Sequence, residues 1–202
     1  MMTGVILAGG LNRRMGGRLK ALLPISGKPL ILRQLEEMAS CCKEILVVTN
    51  NPEVLSPILD TFSDVKVRTI RDRFVQTGPL GGIHAACLEA SEPLLWVVGC
   101  DMPCLSAAAA EAMSMQCMDK GSDAVVPVID GRVHPLHGIY TRQVGAEAEA
   151  LLAHEQYRLM GLLQRIDCQE AEQDFFMEKG ISTRFVLNVN TPEDYEVVLG
   201  FC

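Results

Sequence analysis

At 202 residues the chain is long enough for one substantial hydrophobic core and short for two, so a single domain spanning 1–202 is expected. Its 49% hydrophobic and 21% charged residues are ordinary for a folded globular protein, and a formal net charge of −7 argues against a nucleic-acid binder, which would carry a basic footprint. No apolar run approaches the roughly 20 residues a membrane span needs, and Met1-Met2-Thr3 leads into a short apolar run with no charged leader, so no membrane partner and a cytoplasmic location are expected.

Apolar runs predict strands at Val5–Ala8, Glu44–Thr49, Val65–Ile70, Leu94–Val98, Ala124–Pro127 and Arg184–Leu187. Helices are predicted between them, at 29–41, 80–90, 107–118, 144–154 and 192–199. The runs at Val5 and Leu94 are continuously apolar, as strands covered on both faces are. Alternation of this kind predicts a mostly parallel sheet with helices on either side. The stretch 167–179, dense in charge, is expected to begin with a short strand or a loop. In such folds ligands bind at the carboxyl ends of the strands. The segment 9–20 follows the first strand, Asn50 the second, Asp72 the third and Asp101 the fourth, which predicts one composite site.

The segment 9–20 holds four glycines and three arginines, and ends on Lys20. Glycine allows close backbone approach to a polyanion, and arginine forks match phosphate oxygens in pairs. Gly9 and Gly10 are therefore read as backbone contacts to a nucleoside triphosphate, with Arg14 and Lys20 neutralising its phosphates. The spacing is neither a Walker loop nor a G-x-G-x-x-G fingerprint. Asp101 ends a buried strand, and a hard Mg2+ ion is usually held by one or two carboxylates plus substrate phosphates, so Asp101 is the candidate Mg2+ ligand. Ser106 and Thr191 are the expected caps of the helices that follow them, with Pro192 at the first helical position. Asn188 and Asn190, two apart, would share a face at the end of a strand, with one of them completing the site. Eight cysteines include no C-x-x-C pair, and reduced thiols are expected; a thiolate metal site at Cys100 and Cys104, which flank Asp101, is disfavoured.

The run Leu7–Lys20 matches L-A-G-G-x-x-x-R-M-G-G-x-x-K, and four further blocks follow: GPLGG at 78–82, VGCDMP at 98–103, HPL at 134–136 and NVNTPED at 188–194. In these blocks the chain resembles the MobA type of nucleotidyltransferase, the molybdenum cofactor guanylyltransferases. The resemblance implies a Rossmann-like three-layer α/β/α fold of the nucleotide-diphospho-sugar transferase type. It implies transfer of GMP from Mg2+-bound GTP to molybdopterin carrying molybdenum, with release of pyrophosphate. It assigns Leu7, Ala8, Gly9, Gly10, Lys20, Asn50, Asp72, Gly82 and Asp101 to the nucleotide, with Asn51 as the register-shifted alternative to Asn50. Lys20, Arg14 and Asp101 carry catalysis in this reading, and His134, Pro135, Asn188 and Asn190 face the acceptor. Molybdoenzyme-maturation proteins are further candidate partners. Leu19 stands where the family often has Asp, which alters local pairing in the loop without removing a phosphate ligand. A cytidylyltransferase acting on the same acceptor is the neighbouring alternative, against which Gly9 weighs, since that branch tends to carry Ala-Ala-Gly. A non-catalytic nucleotide or molybdopterin carrier is the alternative of a different class.

Overall fold

The computed structural model describes residues 1–9, 19–74 and 77–201. In chain order the elements are β1 (Met2–Leu7), a small hairpin of β2 (Pro24–Ile25) and β3 (Lys28–Pro29), α1 (Leu30–Ala39), β4 (Cys42–Val48), α2 (Pro52–Leu59), β5 (Lys66–Ile70) and α3 (Pro79–Glu89). There follow β6 (Leu94–Gly99), α4 (Ala107–Lys120), β7 (Ala124–Ile129), β8 (Arg132–Val133), β9 (Gly138–Thr141), α5 (Val144–Ala153), α6 (Leu159–Leu163), β10 (Cys168–Glu172), α7 (Gln173–Met177) and α8 (Pro192–Leu199).

The main sheet runs β10-β7-β9-β6-β1-β4-β5, with β8 paired to β7. Every pair on that path is parallel except the two made by β9, which is antiparallel to β6 and to β7. Alternate residues of β6 feed two cores. Leu94, Trp96 and Val98 face one core with α1 and α4, whereas Leu95 and Val97 face the other with α3 and α5. β1 divides in the same way, with Ile6 on one side and Val5 on the other. Burying each such aliphatic side chain contributes roughly 1.5–3 kcal/mol relative to exposure. The chain thus has the expected three-layer α/β/α architecture.

The predicted helices and five of the predicted strands form, with ends displaced by a few residues. The strand expected at Arg184–Leu187 does not. Thr183–Val186 is a 3-10 helix, started by Ser182 Oγ, which accepts from Arg184 N–H. Phe185 and Val186 are adjacent and both buried in the α1/α4 core, so they plug it from one side rather than alternate across a sheet. The charged stretch at 167–179 becomes β10, which adds to β7, followed by α7. Thr191 caps α8 as expected: its hydroxyl accepts from Asp194 N–H while the Asp194 carboxylate accepts from Thr191 N–H, a reciprocal capping box.

His137 ties the sheet to α4. It has a positive φ of 64°, is fully buried, and its N–H donates to Val97 O. Its ring packs edge-on against Trp96 and lies 4.4 Å, centroid to centroid, from Phe185. Nε2 accepts from Ser106 N–H at 3.1 Å, so the ring is the neutral Nδ1–H tautomer. Burial pushes its pKa down to about 3 from 6.5. Below pH 6.5 the unfolded chain therefore binds a proton that the folded chain refuses, and stability falls with pH by up to about 1.4 kcal/mol per unit from this group. Denaturant titrations between about pH 5 and 6.5 should show this slope in the native protein and a shallower one in His137→Asn, whose side chain also tolerates positive φ. Equal slopes in the two proteins would contradict the assignment.

Candidate functional site

β1 pairs with β6 so that Leu7 lies opposite Gly99, and Cys100 N–H continues the ladder to Leu7 O at 3.1 Å. Ala8 N–H reaches across to Val48 O at the end of β4. The segments leaving β1, β4 and β6 therefore start side by side at the carboxyl edge of the sheet. Lys20 re-enters there on a 3-10 helix, Lys20–Leu22, and its Nζ lies 3.1 Å from Asp101 Oδ2 and 2.8 Å from Asn190 Oδ1. The Lys20 and Asp101 side chains are only 15% and 23% exposed, so solvent screens this pair weakly. The C-terminal segment is strapped to the same point: Val189 N–H donates to Asp101 O at 2.8 Å, and Asn190 N–H donates to Asp194 Oδ2.

The turn from Gly99 to Met102 closes through Met102 N–H to Gly99 O. A Cβ on Gly99 would stand 2.6 Å from Asp101 Oδ1, so the carboxylate folds back over a space that only glycine leaves. Among the described residues no three His, Cys, Asp or Glu side chains converge on one point. A cation at Asp101 would thus take one protein carboxylate and rely on substrate oxygens, the donor set that suits Mg2+. Cys100 does not change this: burial first, and the neighbouring Asp101 carboxylate second, push its thiol up to about 12, so it offers no thiolate to a soft metal.

A small cavity beside Lys20 is lined by Ala8, Leu19, Thr49, Asn51 and Cys100. Asn51 therefore lines it in place of Asn50. Asn51 is also the residue before α2, and its N–H donates to Thr49 Oγ1. Leu7 and Gly82 meet each other: a Cβ on Gly82 would stand 2.8 Å from a Leu7 methyl, so Gly82 serves the packing of α3 onto β1. The close approach that the GPLGG block allows is made at Gly81, whose missing Cβ would fall 2.4 Å from Asp72 Oδ2. Gly78, at φ 65°, supplies the turn into α3. Asp72 Oδ1 accepts from Phe74 N–H at 2.8 Å and Oδ2 from the Thr77 hydroxyl at 3.4 Å. Burial raises its pKa, against the opposing effect of these two bonds.

On the other flank, the loop between β8 and β9 lies against the end of β6, with a Leu136 methyl 3.4 Å from where a Gly99 Cβ would be. His134 is half-buried and burial lowers its pKa; its N–H donates to Pro127 O. Pro135 O accepts from the buried Tyr140 hydroxyl. Asn188 and Asn190 follow a 3-10 helix rather than a strand, and Asn188 Nδ2 donates back to Val186 O while Asn190 Oδ1 accepts from Lys20. The structure thus brings Lys20, Asp101 and Asn190 into direct contact, with Ala8 lining the adjoining cavity. It places Asp72 beyond β5, two strands from β1, which at about 4.8 Å per strand is roughly 10 Å across the sheet edge. A Cβ on Gly9 would meet nothing within 4 Å among the described residues, while Gly10 and Arg14 lie outside them.

Two side chains of α1 at the site escaped sequence reasoning. Gln34 Nε2 donates to Gly99 O at 2.8 Å and to Met102 O at 2.9 Å. Glu37 Oε1, three residues on and on the same helical face, accepts from Ala107 N–H at the start of α4. The available signal was a glutamine at a position where the spacing of Leu30, Ile31, Leu35 and Met38 calls for an apolar residue.

Residues 4–171 match the family described as MobA-like NTP transferase domain. A probable molybdenum cofactor guanylyltransferase of Methanosarcina mazei is 31% identical, over 98% of this chain and 90% of its own length. A molybdenum cofactor guanylyltransferase of Vibrio parahaemolyticus is 30% identical, over 94% and 91% respectively. The crystal structure of molybdopterin-guanine dinucleotide biosynthesis protein A from Archaeoglobus fulgidus superposes with a TM-score of 0.84 at 23% identity, covering 100% of this chain and 98% of that one, a likeness of fold. The 4-diphosphocytidyl-2C-methyl-D-erythritol synthase of Anaerococcus prevotii shares the same fold more distantly, with a TM-score of 0.72 at 14% identity and coverage of 100% and 97%. A glycine-rich sequence after β1, an acidic turn after β6 and a family match across most of its length agree: the chain belongs to the MobA-like NTP transferase family.

Proposed function

We propose that this nucleotidyltransferase moves GMP from GTP to molybdopterin bearing molybdenum, forming the guanine dinucleotide cofactor and pyrophosphate. The observation that carries the reading is the junction of Lys20, Asp101 and Asn190 at the carboxyl ends of β1 and β6. Relatives named molybdenum cofactor guanylyltransferase at about 30% identity over nearly the whole chain support the choice of substrates.

In this reading the triphosphate lies against the segment that follows Leu7, and the base extends along the sheet edge towards β5. Lys20 then places its ammonium against the phosphates, where negative charge gathers as the bond between the α- and β-phosphorus groups breaks. Asp101, directed by the Gly99 turn, would hold Mg2+, which when bound would supply divalent charge to offset that of the phosphates. An oxygen of the acceptor phosphate attacks the α-phosphorus, and the electron pair of the breaking bond leaves with pyrophosphate. The acceptor oxygen is already ionised near pH 7, so no protein nucleophile or base is required, and the chain's work is positioning and charge neutralisation. Guanine presents two N–H donors on one edge, and Asp72 can accept from both. Each such bond offsets the burial that raises this carboxyl. His134 and Pro135, beside the end of β6, face the acceptor side, while Asn190 anchors Lys20 and Asn188 shapes the turn before it.

Thermal unfolding with Mg2+ and each nucleotide in turn tests the base. GTP at about 100 times its dissociation constant should add roughly 2.7 kcal/mol, a rise of roughly 5–10 °C for a chain of this size. A larger rise with CTP would replace the guanylyl reading by a cytidylyl one. Lys20→Met should lower kcat/KM about 10²–10³-fold, the loss typical of a preorganised charge donor. Asp101→Asn should abolish Mg2+-dependent turnover while leaving unfolding without ligand close to native. A fully active Asn variant would remove Asp101 from the metal site.

A further inference from the structure

Gln34 is 1% exposed on a helix face otherwise made of Leu30, Ile31, Leu35 and Met38. Burying an amide in such surroundings is costly unless all its groups are bonded. Both donors of its NH2 group are used, on Gly99 O and Met102 O. Its Oε1 is buried with no hydrogen-bond partner among the described residues. The amide cannot be turned over to relieve this, because its oxygen would then face two carbonyl oxygens. A leucine or methionine would fill much the same volume with no buried polar side-chain atom, so apolar packing alone disfavours glutamine here.

The two carbonyls it binds bracket Cys100 and Asp101. Gly99 O also receives Met102 N–H, and Asp101 O receives Val189 N–H. The turn is therefore held from α1 at both ends and from the C-terminal segment at its middle. Its carboxylate lies over the bare Cα of Gly99. We infer that Gln34 is a positioning residue for the metal-binding turn: it clamps Gly99 and Met102 so that the Asp101 carboxylate is presented to the metal in one orientation. Glu37 extends the clamp along the same segment by holding Ala107 N–H at the start of α4. This inference rests on the proposed role of Asp101. Substitution of groups that orient a metal ligand commonly costs about 10–100-fold in metal affinity.

The test compares GTP affinity with saturating Mg2+ and with EDTA, so that the ratio isolates the contribution of the metal. Gln34→Met keeps the volume and removes both donors. The variant should keep the fluorescence of Trp96, the single tryptophan, and its GTP affinity in EDTA, yet lose about tenfold or more of the gain that Mg2+ brings. If the methionine variant does not fold, Gln34→Glu, which when neutral keeps the volume and one donor, is compared in the same way and should show a selective loss. A Mg2+ gain equal to native, or an equal loss of affinity with and without Mg2+, would overturn the positioning role. Asp101→Asn separates the two claims. If it abolishes the Mg2+ gain while the Gln34 variant does not, only the clamp fails. If Asp101→Asn keeps the full gain, the metal assignment itself fails, and the clamp with it.

Discussion

The parallel pairing of β1 with β6 is the constraint on which the site depends. It sets Leu7 beside Gly99 and lets Cys100 N–H reach Leu7 O, so two segments of opposite chemistry begin as neighbours at the sheet edge. One is the glycine- and arginine-rich segment that ends on Lys20, and the other is the turn that carries Asp101. A register shift of one residue would exchange the faces of every side chain in β1 and move Ile6 out of its core. With both faces apolar, shape rather than polarity resists that shift: Gly4 sits where a Cβ would stand 2.9 Å from Met38 Sδ, so a larger residue slipped into its place would clash. The chemistry at the sheet edge is therefore specified by packing well below it.

Around that junction, charge is arranged locally against the balance of the whole chain. A protein of formal net charge −7 must still receive a polyanion. Lys20 stands in a poorly solvated corner beside Asp101, where the low effective dielectric strengthens its field. Asn190 adds a neutral acceptor for Lys20, which holds the ammonium without adding a second negative charge beside Asp101. Asp194, whose carboxylate is turned to the backbone of Asn190 and Thr191, caps α8 and fixes the C-terminal strap in the same act. The last helix and the segment that meets Lys20 and Asp101 thus share the same hydrogen bonds.

Much of this was legible in the sequence, for identifiable reasons. Strands covered on both faces announce themselves as unbroken apolar runs, as at Leu94, and caps such as Ser106 and Thr191 carry their own local signals. The ordered blocks singled out Lys20 and Asp101, which lie in contact in the structure. What was not legible depended on tertiary partners. The run from Arg184 to Leu187 has the composition of a strand, but no strand lies beside it to pair with, and its aromatic residue fills a gap in the core. β9 is four residues long and begins with glycine, too short for period-two alternation to show. The contact of Gly82 with Leu7, and the presence of Asn51 on the cavity beside Lys20, depend on how α3 and β4 pack on β1 and leave no local signal. Gln34 was hidden because a single polar residue in an amphipathic helix is unremarked unless the carbonyls above it are known.

Nucleotide transfer itself is measured most directly by pyrophosphate release in the presence of Mg2+, molybdenum-loaded molybdopterin and one nucleotide at a time. Transfer of GMP predicts release with GTP that stops when either the acceptor or the metal is withheld, together with a dinucleotide product in equal amount. Release that is faster with CTP, or a protein that binds GTP and the acceptor yet releases nothing, would contradict it.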